Sequence, residues 1–120
     1  MSNLGTMIVE NYWNETLKKI EIHYHNSDNP YDSVFIFYNL GDSTSSSTAN
    51  SFPYSTTGKS AWKAKVTTKN NELLSSGDFL PCQINSSDNG KVTIRFDGNT
   101  KSMHVNYPVS DSCTKRMQLI

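Results

Sequence analysis

Lys18-Lys19-Ile20-Glu21-Ile22-His23-Tyr24 is the stretch whose reading settles the fold class. Ile20, Ile22 and Tyr24 fall on one side and Lys19, Glu21 and His23 on the other. That period of two belongs to an antiparallel strand with one dry face and one wet face. Working outward, Thr6–Tyr12 precedes it as another candidate strand, running on to Trp13, and a polar loop, Asn26-Ser27-Asp28-Asn29-Pro30-Tyr31-Asp32, follows it.

Further candidate strands fall at Ser33–Asn39, Ala61–Thr68, Phe79–Ile84, Lys91–Phe96 and Met103–Val109. Trp62, Ala64 and Val66 alternate with Lys63, Lys65 and Thr67, and Val92, Ile94 and Phe96 alternate with Thr93, Arg95 and Asp97. Val34-Phe35-Ile36-Phe37-Tyr38 is apolar throughout, which predicts a central strand covered on both faces. Turn clusters separate the strands: Asp28-Asn29-Pro30, Gly41-Asp42-Ser43, Ser76-Gly77-Asp78, Asp88-Asn89-Gly90 and Asp97-Gly98-Asn99. Asn89-Gly90 and Asp97-Gly98 are both hairpin signals. No segment keeps a helical period, and Glu72-Leu73-Leu74 suits a single turn at most. Gly41 to Asn50 is rich in Ser and Thr with almost no apolar residue, so an exposed loop is expected there. Together these features predict one domain over residues 1–120, an all-β antiparallel sandwich of immunoglobulin-like shape.

Eleven basic residues balance eleven acidic ones, and this argues against a partner bound mainly through nucleic-acid phosphates. No apolar run approaches the roughly 20 residues of a membrane span. Met1-Ser2-Asn3-Leu4-Gly5 lacks the basic and apolar regions of a secretory signal, which leaves the location unknown, with the cytoplasm and non-classical secretion both open. Cys82 and Cys113 lack metal-ligand spacing. They suit one disulfide in an oxidising compartment or two thiols in a reducing one. Asn14-Glu15-Thr16 and Asn85-Ser86-Ser87 match the glycosylation sequon, a triplet common by chance in a chain this rich in Asn, Ser and Thr.

The groups that catalysis needs are sparse. His23 and His25 project from one strand face, where Asp28 or Asp32 could add a third metal ligand, but the same face carries Glu21 and reads equally as a solvated sheet surface. No Ser lies in a Gly-x-Ser-x-Gly elbow, and Gly98-Asn99-Thr100-Lys101-Ser102 lacks phosphate-loop spacing. The expectation is a protein without catalytic activity, metal or cofactor.

Aromatic side chains are the alternative carriers of function. Phe35, Phe37, Trp62 and Phe96 lie within strand patterns and read as core. Tyr31, Phe52, Tyr54 and Tyr107 stand beside prolines or in polar stretches. A flat ring there can stack on the apolar face of a pyranose while Asn and Asp side chains take its hydroxyls. The same rings can instead close the ends of the sandwich, and for Tyr31 the residues leave both readings open.

Gly5-Thr6-Met7-Ile8-Val9-Glu10-Asn11 followed by Lys18 to Tyr24 resembles the opening of the family 21 carbohydrate-binding modules. That family includes the starch-binding module of a fungal glucoamylase and the glycogen-targeting subunits of a protein phosphatase. Ser27-Asp28-Asn29-Pro30-Tyr31 sits where the family has a polar loop with an aromatic. Val92-Thr93-Ile94-Arg95-Phe96 and Asn106-Tyr107-Pro108-Val109 sit where it has its last strands and an Asn-Tyr pair. Phe96-Asp97-Gly98-Asn99 replaces the family's aromatic-Asp-Asn-Asn motif. The resemblance implies stacking by Tyr24 and Tyr31, with Asn29 and Asp32 as hydroxyl partners; Tyr107 completes the expected ligand-binding set.

The expected function is therefore a non-catalytic carbohydrate-binding module or lectin for an α-glucan or another polysaccharide. Two alternatives from other classes remain: a membrane-active or lipid-binding small β-sandwich of cytolysin type, and a protein-interaction domain that pairs through an exposed strand edge.

Overall fold

Each long strand has one apolar face that has to leave water, and two sheets laid face to face remove all of these faces at once. A computed structural model describes residues 3–46 and 49–120. In chain order the strands are β1 (Asn3–Tyr12), β2 (Leu17–Asn26), β3 (Ser33–Leu40), β4 (Thr44–Ser45), β5 (Asn50–Tyr54), β6 (Ser60–Thr68), β7 (Leu73–Ser75), β8 (Leu80–Pro81), β9 (Lys91–Asp97), β10 (Ser102–Asn106), β11 (Cys113–Arg116) and β12 (Gln118–Leu119), with a short 3₁₀ turn at Ser86–Asp88. One sheet runs β11-β10-β9-β1, with β4 and β5 both on the far side of β1. The other runs β12-β7-β6-β2-β3, with β8 beside β6. All pairings are antiparallel except β1 with β9, which run parallel from Thr6 opposite Lys91 to Tyr12 opposite Asp97. The expected all-β sandwich is what the chain forms.

The period-two reading holds closely on the long strands. Met7 and Val9 of β1, Val92, Ile94 and Phe96 of β9, and Met103 and Val105 of β10 are buried. Ile20, Ile22 and Tyr24 of β2 and Trp62, Ala64 and Val66 of β6 are buried too. Leu17 and Ile20, three residues apart, are both fully buried because a register shift between Leu17 and Lys19 inserts one residue into the ladder. Gly98 is required at the Asp97-Gly98 turn, since a Cβ there would stand 2.2 Å from the Trp13 carbonyl oxygen. That turn joins β9 to β10 as a hairpin, as expected.

Elsewhere the structure corrects the reading. β3 is not central: it pairs only with β2 and ends its sheet. Phe35 is buried, but Val34, Ile36 and Tyr38 are 49%, 46% and 67% exposed. An unbroken apolar run looks the same whether its second face is covered or bare, so the pattern alone could not choose. Asn89-Gly90 is not a hairpin either. Asn89, at φ 54°, ends the 3₁₀ turn, and Gly90, at φ 71°, offers its carbonyl to the Thr6 N–H at 2.8 Å. The Phe79–Ile84 strand shrinks to Leu80–Pro81, which pairs with Trp62 and Ala61 of β6. The proposed turn at Glu72-Leu73-Leu74 is instead the start of β7, where Leu74 fills the core opposite Val66. The expected loop from Gly41 to Asn50 contains β4, which pairs with Glu10 and Asn11 of β1. Positions 47 and 48 of that loop lie outside the described residues.

Cys82 and Cys113 form a disulfide that ties the segment after β8 to β11, and so one sheet to the other. Among the described residues no helix is long and apolar enough to cross a membrane.

Candidate functional site

Strand direction gathers four connections at one end of the sandwich: 27–32 after β2, 55–59 after β5, 82–90 after β8 and 107–112 after β10. The first two are welded together. Asn26, the last residue of β2 and only 2% exposed, donates from its amide to the Ser55 carbonyl at 2.9 Å. The same amide donates to the Tyr24 hydroxyl at 3.1 Å, while its carbonyl accepts from the Asp28 N–H at 3.0 Å. Gly58 is obligatory beside it, because a Cβ there would lie 2.3 Å from Asn26 Oδ1. Asp28 then accepts from the hydroxyls of Thr57 at 2.6 Å and Ser55 at 2.7 Å. These two hydroxyl donors, Thr57 first, hold the Asp28 carboxyl below the usual carboxylate range. Ser27 and Lys59 close the seam: the Lys59 N–H donates to Ser27 Oγ at 2.7 Å and the Ser27 N–H to the Lys59 carbonyl at 3.0 Å.

Tyr31 stands at the tip of this braced loop, 80% exposed. Pro30 just before it has its own φ restricted by the ring, and a 3.1 Å bond runs from the Tyr31 N–H to Asn29 Oδ1. The Asn29 amide nitrogen has no protein partner among the described residues. Asp32, next along the chain, is paired with His25 at 2.7 Å between its Oδ1 and the ring Nδ1. The expected residues Asn29, Tyr31 and Asp32 are thus brought together at one solvent-facing point.

Tyr24 and Tyr107 are not part of that point. Tyr24 is 2% exposed, its ring packed 4.4 Å from Trp62 and 4.7 Å from Phe52 between centroids, and its hydroxyl bonded to Ser60 Oγ at 2.7 Å. Buried to this extent, the ring is closed to a sugar. Burial pushes the Tyr24 hydroxyl above its ordinary pKa. Tyr107 is also in the core: Trp62 Nε1–H donates to its hydroxyl, which donates to the Cys82 carbonyl. Phe52 and Tyr54 are buried as well. Period-two logic already placed Tyr24 on the dry face with Ile20 and Ile22, and that signal outranks the resemblance.

The edge of Tyr107 lines a groove of about 320 Å³ on the outer face of the parallel pair, with Thr6 and Ile8 of β1, Lys91 and Thr93 of β9, and Asn106 beside it. No sequence feature had marked this groove. Its walls offer one cation, two hydroxyls and a carboxamide over an apolar floor.

On the opposite outer face, His23 Nε2 lies 3.0 Å from Glu21 Oε2, and this hydrogen bond holds the Glu21 carboxyl below its ordinary pKa. Lys63 Nζ lies 4.5 Å above the Phe79 ring, which also packs against His25. Asp28 is turned toward Ser55 and Thr57, and His23 pairs with Glu21 while His25 pairs with Asp32, so His23, His25 and an aspartate do not converge as a ligand set. Among the described residues no group of three or more His, Cys, Asp or Glu is placed to hold a metal ion.

No protein-family model matches the chain, and no curated protein matches its sequence.

Proposed function

We propose that the chain is a non-catalytic carbohydrate-binding module that holds a polysaccharide, in the first instance an α-glucan, on the 27–32 loop. The observation that carries this reading is Tyr31, a ring 80% exposed on a loop braced from below by Asn26 and Asp28. A bare aromatic on a mobile loop loses ordering entropy on binding; one on a pre-set loop loses less. Stacking on the Tyr31 ring supplies apolar burial, and the Asn29 amide and the Asp32 carboxylate supply orientation. Affinity per site is expected between micromolar and millimolar, because one sugar face buries little area. Pull-down on insoluble starch together with a glycan array tests the reading, and retention by neither defeats it. Liposome sedimentation separates it from the lipid-binding alternative: a sugar-binding module stays in the supernatant.

A second reading, an interaction domain working through a strand edge, is favoured by a different observation. Val34, Ile36 and Tyr38 form an apolar row on the outer face of a strand that ends its sheet.

A further inference from the structure

We propose that β3 pairs with β3 of a second copy of this chain, antiparallel and centred on Ile36, joining two five-stranded runs into one continuous sheet across a two-fold axis. The open side of β3 has no strand partner among the described residues, and Ser33–Leu40 contains no charged residue and no proline. Charged side chains and proline are two of the devices by which sheet edges repel other edges, and neither is present here.

The strand is also complementary to itself. Rotated about Ile36, it sets Ile36 against Ile36, Val34 against Tyr38 and Phe35 against Phe37, and the regular ladder ends before Asn39, whose φ is 53°. Every opposed pair matches in polarity, and two of the combinations, aromatic on β-branched and aromatic on aromatic, are favourable across strands. A two-fold interface requires such self-complementarity. Exposure follows the same pattern. Val34, Ile36 and Tyr38 are 49%, 46% and 67% exposed on the outer face, and Phe37, only partly buried, packs against the core. Antiparallel pairing covers both rows together. Charge does not oppose it, because the paired stretch itself carries none. One strand per copy buries less than the roughly 1,600 Å² of a standard interface. The dimer is accordingly a weak one, visible in the micromolar to millimolar range and distinct from the Tyr31 tip.

Sedimentation velocity of the full chain across that range tests this. The expected result is a concentration-dependent dimer. Ile36→Lys sets two lysines against each other and raises the dimer dissociation constant by about tenfold or more. An equimolar mixture of Ile36→Lys with Ile36→Glu restores association as a heterodimer. Because Ile36 is nearly half exposed, both variants should melt with the wild type at low concentration. Should either fail to fold, Val34→Lys mixed with Tyr38→Glu makes the same test, since the register sets these two positions against each other. A monomer throughout, a dimer indifferent to Ile36→Lys, or charge-swapped mixtures that fail to associate overturns the proposal.

Discussion

The indole N–H of Trp62 donates to the Tyr107 hydroxyl across 2.9 Å, and that hydroxyl donates to the Cys82 carbonyl at 2.7 Å. Trp62 belongs to β6 in one sheet and Tyr107 follows β10 in the other, so a polar chain crosses the core between the sheets. Burial pushes the Tyr107 hydroxyl well above the ordinary tyrosine pKa, so it stays a neutral donor throughout the physiological range. Tyr107→Phe removes the hydroxyl and leaves a buried indole N–H and a carbonyl unpaired. It should destabilise by about 1–3 kcal/mol in urea unfolding. Trp62→Ala, which also opens a cavity at a fully buried position, should cost roughly 3–5 kcal/mol. Equal losses in the two variants would show that packing around the indole adds nothing to the hydrogen bond.

Tyr31→Ala should leave the melting temperature nearly unchanged and remove most glucan binding, because a ring 80% exposed contributes little to the core. Thermal melting and starch retention measured on the same preparation check both halves. A drop of more than about 1 kcal/mol in stability would assign Tyr31 to closing the sandwich end instead.

Asn26→Ala should do both. Its amide holds Ser55 and its carbonyl holds Asp28, so truncation leaves buried groups unpaired and frees the loop that presents Tyr31. The expected loss is about 1–3 kcal/mol, together with weaker sugar binding even though residue 26 touches no ligand. Unchanged binding in a destabilised Asn26→Ala variant would mean that loop bracing has no part in recognition.

These residues differ in how legible they were. Ile20, Ile22, Tyr24, Trp62, Val66, Val92, Ile94 and Phe96 are buried where alternation put them, because a two-sheet core enforces the period of two. The position of β3 in its sheet was not legible, since an apolar run carries no mark of how many neighbours it will have. Asn89-Gly90 misled because Asp88 captures the preceding backbone and makes a 3₁₀ turn of what composition presents as a hairpin. The parallel β1–β9 pair and the groove beside it depend on two segments more than 80 residues apart meeting, which no local pattern records. Within the candidate site, the Tyr31 tip was visible as an aromatic in a polar loop. The Asn26–Asp28 brace beneath it was not, because its partners Ser55, Thr57 and Gly58 come from another loop.

Reduction of Cys82–Cys113 should lower stability without destroying the fold. The bridge spans a sequence separation of 31, and closing a loop of that size restrains the unfolded chain by roughly 3–4 kcal/mol in the chain-entropy picture. Cys82 belongs to the core and Cys113 packs against it, but Trp62, Phe52, Ile20, Ile22 and Ile94 stay buried in the two sheets whichever state the sulfurs take. Chemical unfolding of the double Cys→Ser variant beside the wild type measures the difference. A loss near zero would mean that strain in the folded state offsets the entropic gain.

Acid should weaken the fold through Asp88. Its side chain, 1% exposed, accepts from the backbone N–H groups of Asn85, Val109 and Ser110 and from the Ser110 hydroxyl. Burial acts to raise its pKa, and these four donors outweigh burial and hold the carboxyl below the usual range. A carboxyl whose folded pKa lies below its unfolded one adds stability that is fully present above the unfolded value. That stability is lost as pH falls through the folded value. The wild type should therefore lose stability between mildly and strongly acidic pH, while neutral and alkaline solutions leave this contribution intact. Asp88→Asn places an amide among donors, so it should be less stable at neutral pH and show a flatter acid limb. Melting temperatures of the two proteins across the acid range provide the measurement. Parallel curves would remove Asp88 from the acid response and leave it to the exposed carboxylates.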